Sequence, residues 1–318
     1  VPDGRAVDLS GLIERQSGLL LRSQANAAGV TDDAIRWHIA RGEWQRVLKG
    51  LYATFSGPPT EEHRLIAATL YGGEGTQITG AAALRRHGVR YAPDDRRVHI
   101  LVPLERRRSH RGFVIVTRTA RPDQHPRLLP AMEICSVARA GADAARAGYP
   151  LTEIRAFLAE IVQRRLAPLS AFERELAEGS TAHSAVLRRV VAELKDGVRS
   201  APEAEMRDVV ALSSVLPPVQ WNPRLIAADG TVLPTPDGWI QDVGLALETD
   251  SKEFHTSPVD WQRTLERHNL LARYGIMTLH FTPREIREHP EKVLATIEQT
   301  YRERPRGFRG AQASGGKS

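Results

Sequence analysis

The spacing of apolar residues changes several times along the chain, and each change marks an element. Between Leu9 and Thr54 it predicts short helices followed by a hairpin. Ser23 is placed to cap a helix running to Ala28, Gly29 supplies a turn, and Thr31 caps a second helix reaching about Arg41. In that second helix Ile35 and Ile39 share one side, which leaves Asp33, Arg36 and Trp37 on the other. Gly42 and Glu43 end it, and WQRVLKGLYAT holds two strand-like pieces around Lys49-Gly50, the pattern of a wing.

Between about Pro58 and Pro130, HRLIAATLY and GAAALRRHG read as helices, and VHILVP and GFVIVTRT as strands with Arg106 to Arg108 at a hairpin tip between them. From Met132 to Val198 amphipathic helices follow one another, broken near Tyr149-Pro150, Ala167-Pro168 and Gly179-Ser180. SAPE, from Ser200, reads as a capping box with Glu203 three residues after the cap. Strands VQWNPRLIAA, TVLPTPDGWI and VGLALETD come next, with Asp229-Gly230 turning between the first two. A helix from Pro258 to Tyr274, the strand IMTLHFT and a helix capped by Thr282 complete the pattern. The predicted class is α/β and multidomain. A winged helix-turn-helix occupies 1–56, an α/β domain 57–130, a helical connector 131–198, an α/β domain with a mixed sheet 199–305, and a disordered tail 306–318.

Composition narrows the function. At 318 residues, 41% hydrophobic and 26% charged, the chain has ordinary globular proportions. Cys135 is the single cysteine, which excludes an intrachain disulfide and a cysteine-rich zinc site. No apolar run of about 18 residues and no basic-then-apolar leader pattern is present, so the expectation is a cytoplasmic protein without a membrane partner. The net charge of +6 is uneven: residues 1–130 hold 20 Lys and Arg against 13 Asp and Glu, and the rest 24 against 25. The basic front is therefore the part suited to a polyphosphate backbone. Arg36 is the candidate for a base or phosphate contact and Arg46 and Lys49 for phosphate contacts, with Thr31 at the helix start as a further DNA-binding residue.

The rear half carries a different chemistry, in PDGWIQDVGLALETDSKEFH. Side chains alternate along a strand, so Glu248 and Asp250 share a face at the strand's end, and Asp237 joins them if its own strand lies antiparallel alongside. Two or three carboxylates there make an oxygen-rich site for magnesium or another hard cation. His255, five residues on, is placed to act as a general acid or base.

Pro236-Asp237, ten intervening residues and Glu248-Thr249-Asp250 resemble the PD-(D/E)XK nuclease signature, with Asp250 where the usual lysine stands. Among proteins with that signature, the stretch resembles the very-short-patch-repair type of endonuclease and the endonuclease-like domains grouped with it. The similarity runs over residues 200 to 300, through WQRTLERHNLLARYGIMTLHFTPREI and through SAPEAEMR, where Glu203 falls on the glutamate of the family's opening helix. It implies a restriction-endonuclease-like fold and magnesium-dependent phosphodiester hydrolysis. Asp237 and Glu248 would be metal ligands and the Thr249 carbonyl would complete the shell. Asp250 and Glu203 would assist, and His255 would be the acid/base. Ser251 stands where that family has glycine, Thr249 where it has an aliphatic residue, and Lys252 is out of register with the signature lysine.

The front half, QANAAGVTDDAIRWHIARGEWQRVLKGLYAT followed by HRLIAATLYGGEGTQITGAAALRRHG, resembles the winged helix and second domain of AbiEi-type antitoxins over residues 9 to 120. That implies operator binding and repression of the protein's own operon, with Arg36, Arg46 and Lys49 at exposed positions. The expectation is a DNA-binding protein with a magnesium-dependent endonuclease domain. The alternative is an antitoxin or repressor whose nuclease fold is inactive. DNA is the expected partner; a cognate toxin protein and a homodimer are left open.

Overall fold

The computed structural model describes residues 8–250 and 258–313, and the chain forms two compact units, Val1–Val191 and Ala192–Ser318. Among the described residues no helix is long and apolar enough to cross a membrane.

In the first unit α1 (Leu9–Arg15) leads to β1 (Leu19–Leu21), which runs without a break into α2 (Arg22–Ala27). The helix start therefore falls at Leu21, whose N–H donates to Gln24 Oε1 at 2.9 Å, and Ser23 lies inside the first turn rather than capping it. Thr31 does cap α3 (Asp32–Ala40), its hydroxyl accepting the Ala34 N–H at 3.2 Å. β2 (Gln45–Leu48) and β3 (Leu51–Ala53) pair antiparallel. Gly50 takes φ +77° in the turn, a conformation in which other residues are strained. β1 completes a sheet of order β1-β3-β2. The small core beneath is built from Leu20, Ala25, Ile35 and Tyr52, with Ile39 and Trp44 packed at its margin.

Next come α4 (Glu61–Gly72), β4 (Gln77–Thr79), α5 (Gly80–Arg86), β5 (Val98–Pro103), β6 (Val114–Thr119), β7 (Arg127–Leu129) and β8 (Met132–Ile134). The strands make a mixed sheet of order β6-β5-β4-β8-β7. β5 and β6 are parallel, Val98 opposite Val114, so the arginines at 106–108 are not at a hairpin tip. They lie on a crossover that carries the chain back to the starting end of the sheet, because alternation predicts which face a side chain takes but not the strand's direction. The crossover is tied down by the Tyr71 hydroxyl, which donates to the Ser109 carbonyl at 2.9 Å, and by a bridge between Arg111 and Val114.

Residues 131–198 are likewise not a separate connector. β8 inserts parallel to β4 within the sheet. α6 (Val137–Arg146) packs on α5, and α7 (Leu151–Gln163) and α8 (Leu169–Glu178) pack on α6, burying Phe157 and Phe172 completely. Apolar Met132 and Ile134, two apart, face the core from a strand too short for a helix-dominated pattern to reveal. α9 (Ala185–Lys195) follows.

In the second unit α10 (Ala201–Val210) is capped by Ser200, whose hydroxyl accepts the Glu203 N–H at 3.2 Å. β9 (Gln220–Trp221), β10 (Leu225–Ala227), β11 (Gly238–Ile240), β12 (Leu245–Thr249), α11 (Pro258–Arg273), β13 (Met277–Phe281), α12 (Pro283–Glu288), α13 (Pro290–Glu303) and β14 (Ala311–Ala313) complete it. Its four-stranded sheet has the order β13-β12-β11-β9, with β11 and β12 antiparallel and β12 and β13 parallel. One face packs Ile240, Leu245, Leu247 and Phe281 against Met206, Ile286, Val293 and Ile297 from α10, α12 and α13. The other packs Trp239 and Ala246 against Leu271 of α11.

Residues 306–313 of the expected disordered tail belong to this unit, while 314–318 lie outside the described residues. β14 pairs with β10, and the Phe308 ring stands 5.8 Å from that of Trp239. Phe308 can settle there because Gly244, at φ +62°, has no Cβ; one would lie 2.5 Å from the ring. A single aromatic anchor seats residues 308–313 of a basic, glycine-rich stretch, which composition conceals.

Candidate functional site

Two groups of side chains, one in each unit, could carry function. In the first unit α3 is anchored by Ile35, 2% exposed, so its opposite face must meet solvent. That face presents Arg36 and Trp37, the latter 53% exposed. Arg36 pairs with Asp33 one turn back, both side chains largely in water, a contact weak enough to exchange for another anion. The end of α3 is braced. His38 stacks on Trp44 at 4.8 Å, the Arg41 guanidinium lies 4.7 Å over Trp37, and both Arg41 and His38 reach Glu43, at 2.7 Å each. Arg41 first and His38 second hold the Glu43 carboxyl below its ordinary range. Arg46 projects from β2 and Lys49 from the turn, both exposed. All four residues expected to meet DNA thus lie in one small domain. Thr31 spends its acceptor on the helix cap, which leaves its O–H as a donor.

In the second unit the ladder between β11 and β12 sets Gly238 opposite Leu247, which places Asp237 opposite Glu248 as the hairpin reading expects. Asp237 Oδ2 accepts both the Thr249 N–H and the Thr249 hydroxyl, each at 2.7 Å, so this carboxylate closes the end of the ladder. Glu248 is buried and its Oε1 accepts from Arg267 of α11 at 2.5 Å, while Arg267 also donates to the Thr235 carbonyl at 2.7 Å. Burial outweighs Arg267 and, with the nearby Asp237 charge, pushes the Glu248 carboxyl up to about 7. Asp250 faces β13, its Oδ2 3.0 Å from His280 Nδ1, and this contact raises the His280 pKa.

Glu203 is held in the same neighbourhood by Asn222, whose side-chain amide donates to Glu203 Oε2 at 3.0 Å and whose backbone N–H donates to the Asp237 carbonyl at 2.9 Å. Burial raises the Glu203 pKa against the opposing hydrogen bonds of Asn222 and the Arg199 amide, and Asp237 adds to the rise. Glu203, Asp237, Glu248 and Asp250 are thus gathered at one end of the sheet. His255 lies outside the described residues, as do Ser251 and Lys252. Among the described residues no group of three or more His, Cys, Asp or Glu is arranged to hold a metal ion.

Sequence reasoning passed over Arg267, Asn222 and His280. The register that sets His280 beside Glu248 was the available signal for the last, since IMTLHFT was already read as a strand. Arg267 and Asn222 carry no local signal, because their partners lie 19 residues away in each case.

Residues 9–54 match the family described as "Transcriptional regulator, AbiEi antitoxin". That segment is α1 through β3, the domain that presents Arg36, Arg46 and Lys49. No curated protein matches the chain. Among solved structures, the crystal structure of the RV2827C protein from Mycobacterium tuberculosis is similar at 19% identity, covering 61% of this chain and 78% of that one with a TM-score of 0.41. A likeness of that size says nothing of activity or partners.

Proposed function

We propose that this protein is a DNA-binding transcriptional regulator that uses residues 9–54 as a winged helix-turn-helix. α3 enters the major groove with Arg36, and the β2–β3 hairpin sets Arg46 and Lys49 on the backbone. The observation that carries this reading is a coincidence of two facts: the segment matching a regulator family is the one whose cations point away from a closed core. Trp37 and the braced Arg41 give the same helix face a flat surface beside the charges. Operator binding and control of its own operon are the regulatory role this supports, with a toxin protein and a second copy of the chain as the protein partners to look for.

The test is binding of the full chain to the duplex upstream of its own gene and to a scrambled duplex of equal length, read by fluorescence anisotropy over a range of salt. Preference for the native duplex with a steep salt dependence supports the reading. Equal, negligible binding to both removes it.

A second reading, favoured by Asp237 standing opposite Glu248 with Glu203 at hand, is magnesium-dependent phosphodiester hydrolysis in the second unit. Asp237, Glu248 and the Thr249 carbonyl would hold the ion, with Asp250 and His255 assisting. The donor set suits a hard cation, but Glu248 is engaged by Arg267, so the ion and the guanidinium compete for one carboxylate. Magnesium, once bound, would supply charge neutralisation at a scissile phosphate. The chain's own contribution is to gather the carboxylates and, through Arg267, to limit when they are available. Cleavage of plasmid and linear DNA with and without magnesium separates an active site from a scaffold.

A further inference from the structure

The crossover between β5 and β6 runs outside the segment that matches the regulator family, yet it shares a cavity with that segment. The cavity, of about 420 Å³, is lined by Arg22 and Ser23 of α2, Lys49 and Gly50 of the hairpin turn, Tyr71 of α4 and Arg108 of the crossover. The backbone fixes this meeting: the Arg22 N–H donates to the Gly50 carbonyl at 2.9 Å, joining α2 to the turn. Tyr71 donates to the Ser109 carbonyl, and the Arg108 guanidinium lies 5.5 Å from the Tyr71 ring.

Three cations from three elements therefore line the cavity together with Ser23, and among the described residues no carboxylate lines it. Arg22 is paired with Asp32. Among the described residues Lys49 and Arg108 form no ion pair, and both are exposed. Lys49 and Arg108, brought to one cavity without an ion pair among the described residues, repel one another, and their field falls on whatever anion enters. Arginine and lysine with a hydroxyl donor are the groups that hold a phosphodiester oxygen.

We propose that this cavity seats a backbone phosphate of the bound DNA, so that the crossover and α4 extend the footprint beyond the 9–54 domain. The inference rests on the DNA-binding reading above. It assigns Arg108 and Ser23 to a strand flanking the groove that α3 enters. A contact of this kind adds affinity without sequence preference, because every nucleotide offers the same phosphate.

The experiment compares the full-length wild type with Arg108→Ala and Ser23→Glu on native and scrambled duplexes across a salt series. Arg108→Ala is expected to weaken both duplexes by the same factor, about three- to tenfold near physiological salt, and to reduce the slope of log K against log salt by about 1. Ser23→Glu puts a carboxylate into the seat from an exposed helix position and is expected to weaken both duplexes at least as much. It also covers the case in which Arg108→Ala perturbs folding, which circular dichroism reports. Unchanged affinity and slope in a folded variant of either kind overturns the proposal while leaving the regulator reading intact. A wild type that binds neither duplex ends both.

Discussion

The charged groups of the first unit's front domain and those at the sheet end of the second unit are built on opposite plans. On α3 and its hairpin, Arg46 and Lys49 stand in solvent, and Arg36 is held by an exposed pair. At the sheet end, Asp237 is satisfied by Thr249, Glu203 by Asn222 and Glu248 by Arg267. A side chain left in water keeps its interaction energy for a partner. One paired inside the protein has already used it, and a ligand must first displace that pair. The contrast explains why a binding role is easy to assign to the first and chemistry harder to assign to the second.

The largest effect expected from breaking this contrast concerns Glu248. Its proton is held to about pH 7 in the folded unit and to about 4.5 when unfolded. Between those values the folded state binds more protons, so stability is fully present below about 4.5 and declines as pH rises through 7. The difference corresponds to about 3 kcal/mol, and Glu248→Gln, neutral throughout, should lack this decline. Denaturant unfolding at pH 4.5, 6 and 8 gives the answer; parallel pH profiles for the two proteins would show that Glu248 is not the titrating group.

Next in size is the front domain. Replacing Arg46 and Lys49 together with alanine should weaken DNA binding about 30-fold, roughly 2 kcal/mol, and lower the salt slope by about 2 while leaving the unfolding midpoint unchanged. A fall in stability instead would mean these cations serve the fold. The competition between Arg267 and a cation can then be sharpened by calorimetry. Arg267→Ala should bind magnesium about tenfold more tightly than the wild type, and identical isotherms would show that the guanidinium is no barrier. The smallest effect is local: Thr31→Ala removes the cap of α3 and should cost about 1 kcal/mol of stability, visible as a lower thermal midpoint. No shift would mean that the α3 start is held by its packing alone.

Much of the front domain could be read directly from residue order. Ile35 and Ile39 sit one helical turn apart, which fixes Arg36 and Trp37 outward, and Lys49-Gly50 between apolar runs fixes the hairpin. The facing of Asp237 and Glu248 was also legible, since a short antiparallel hairpin determines what stands opposite what. What escaped was relation at a distance. Nothing local says that Val98–Pro103 and Val114–Thr119 run parallel, or that Met132–Ile134 belongs beside Gln77–Thr79. The internal partners of the carboxylates escaped for the same reason: Arg267 arrives on a helix and Asn222 in a left-handed turn at φ +49°. A motif locates acidic residues, whereas the groups that hydrogen-bond or neutralise them are supplied by tertiary structure.

The strand at Ala311–Ala313 has a kinetic consequence. Its partner, Leu225–Ala227, precedes it by more than eighty residues, so the pair closes one of the longest loops in the second unit. Contacts of such long range form late, and a two-strand edge of three residues is among the first elements to open. Phe308 and Ala311 share a cluster with Trp239 and Ala246, on the sheet face from which Glu248 projects. Transient detachment of this segment would admit water beneath that face. Amide exchange at Trp239 and Ala246 should therefore track exchange at Ala311 rather than that of the helices on the other side of the sheet.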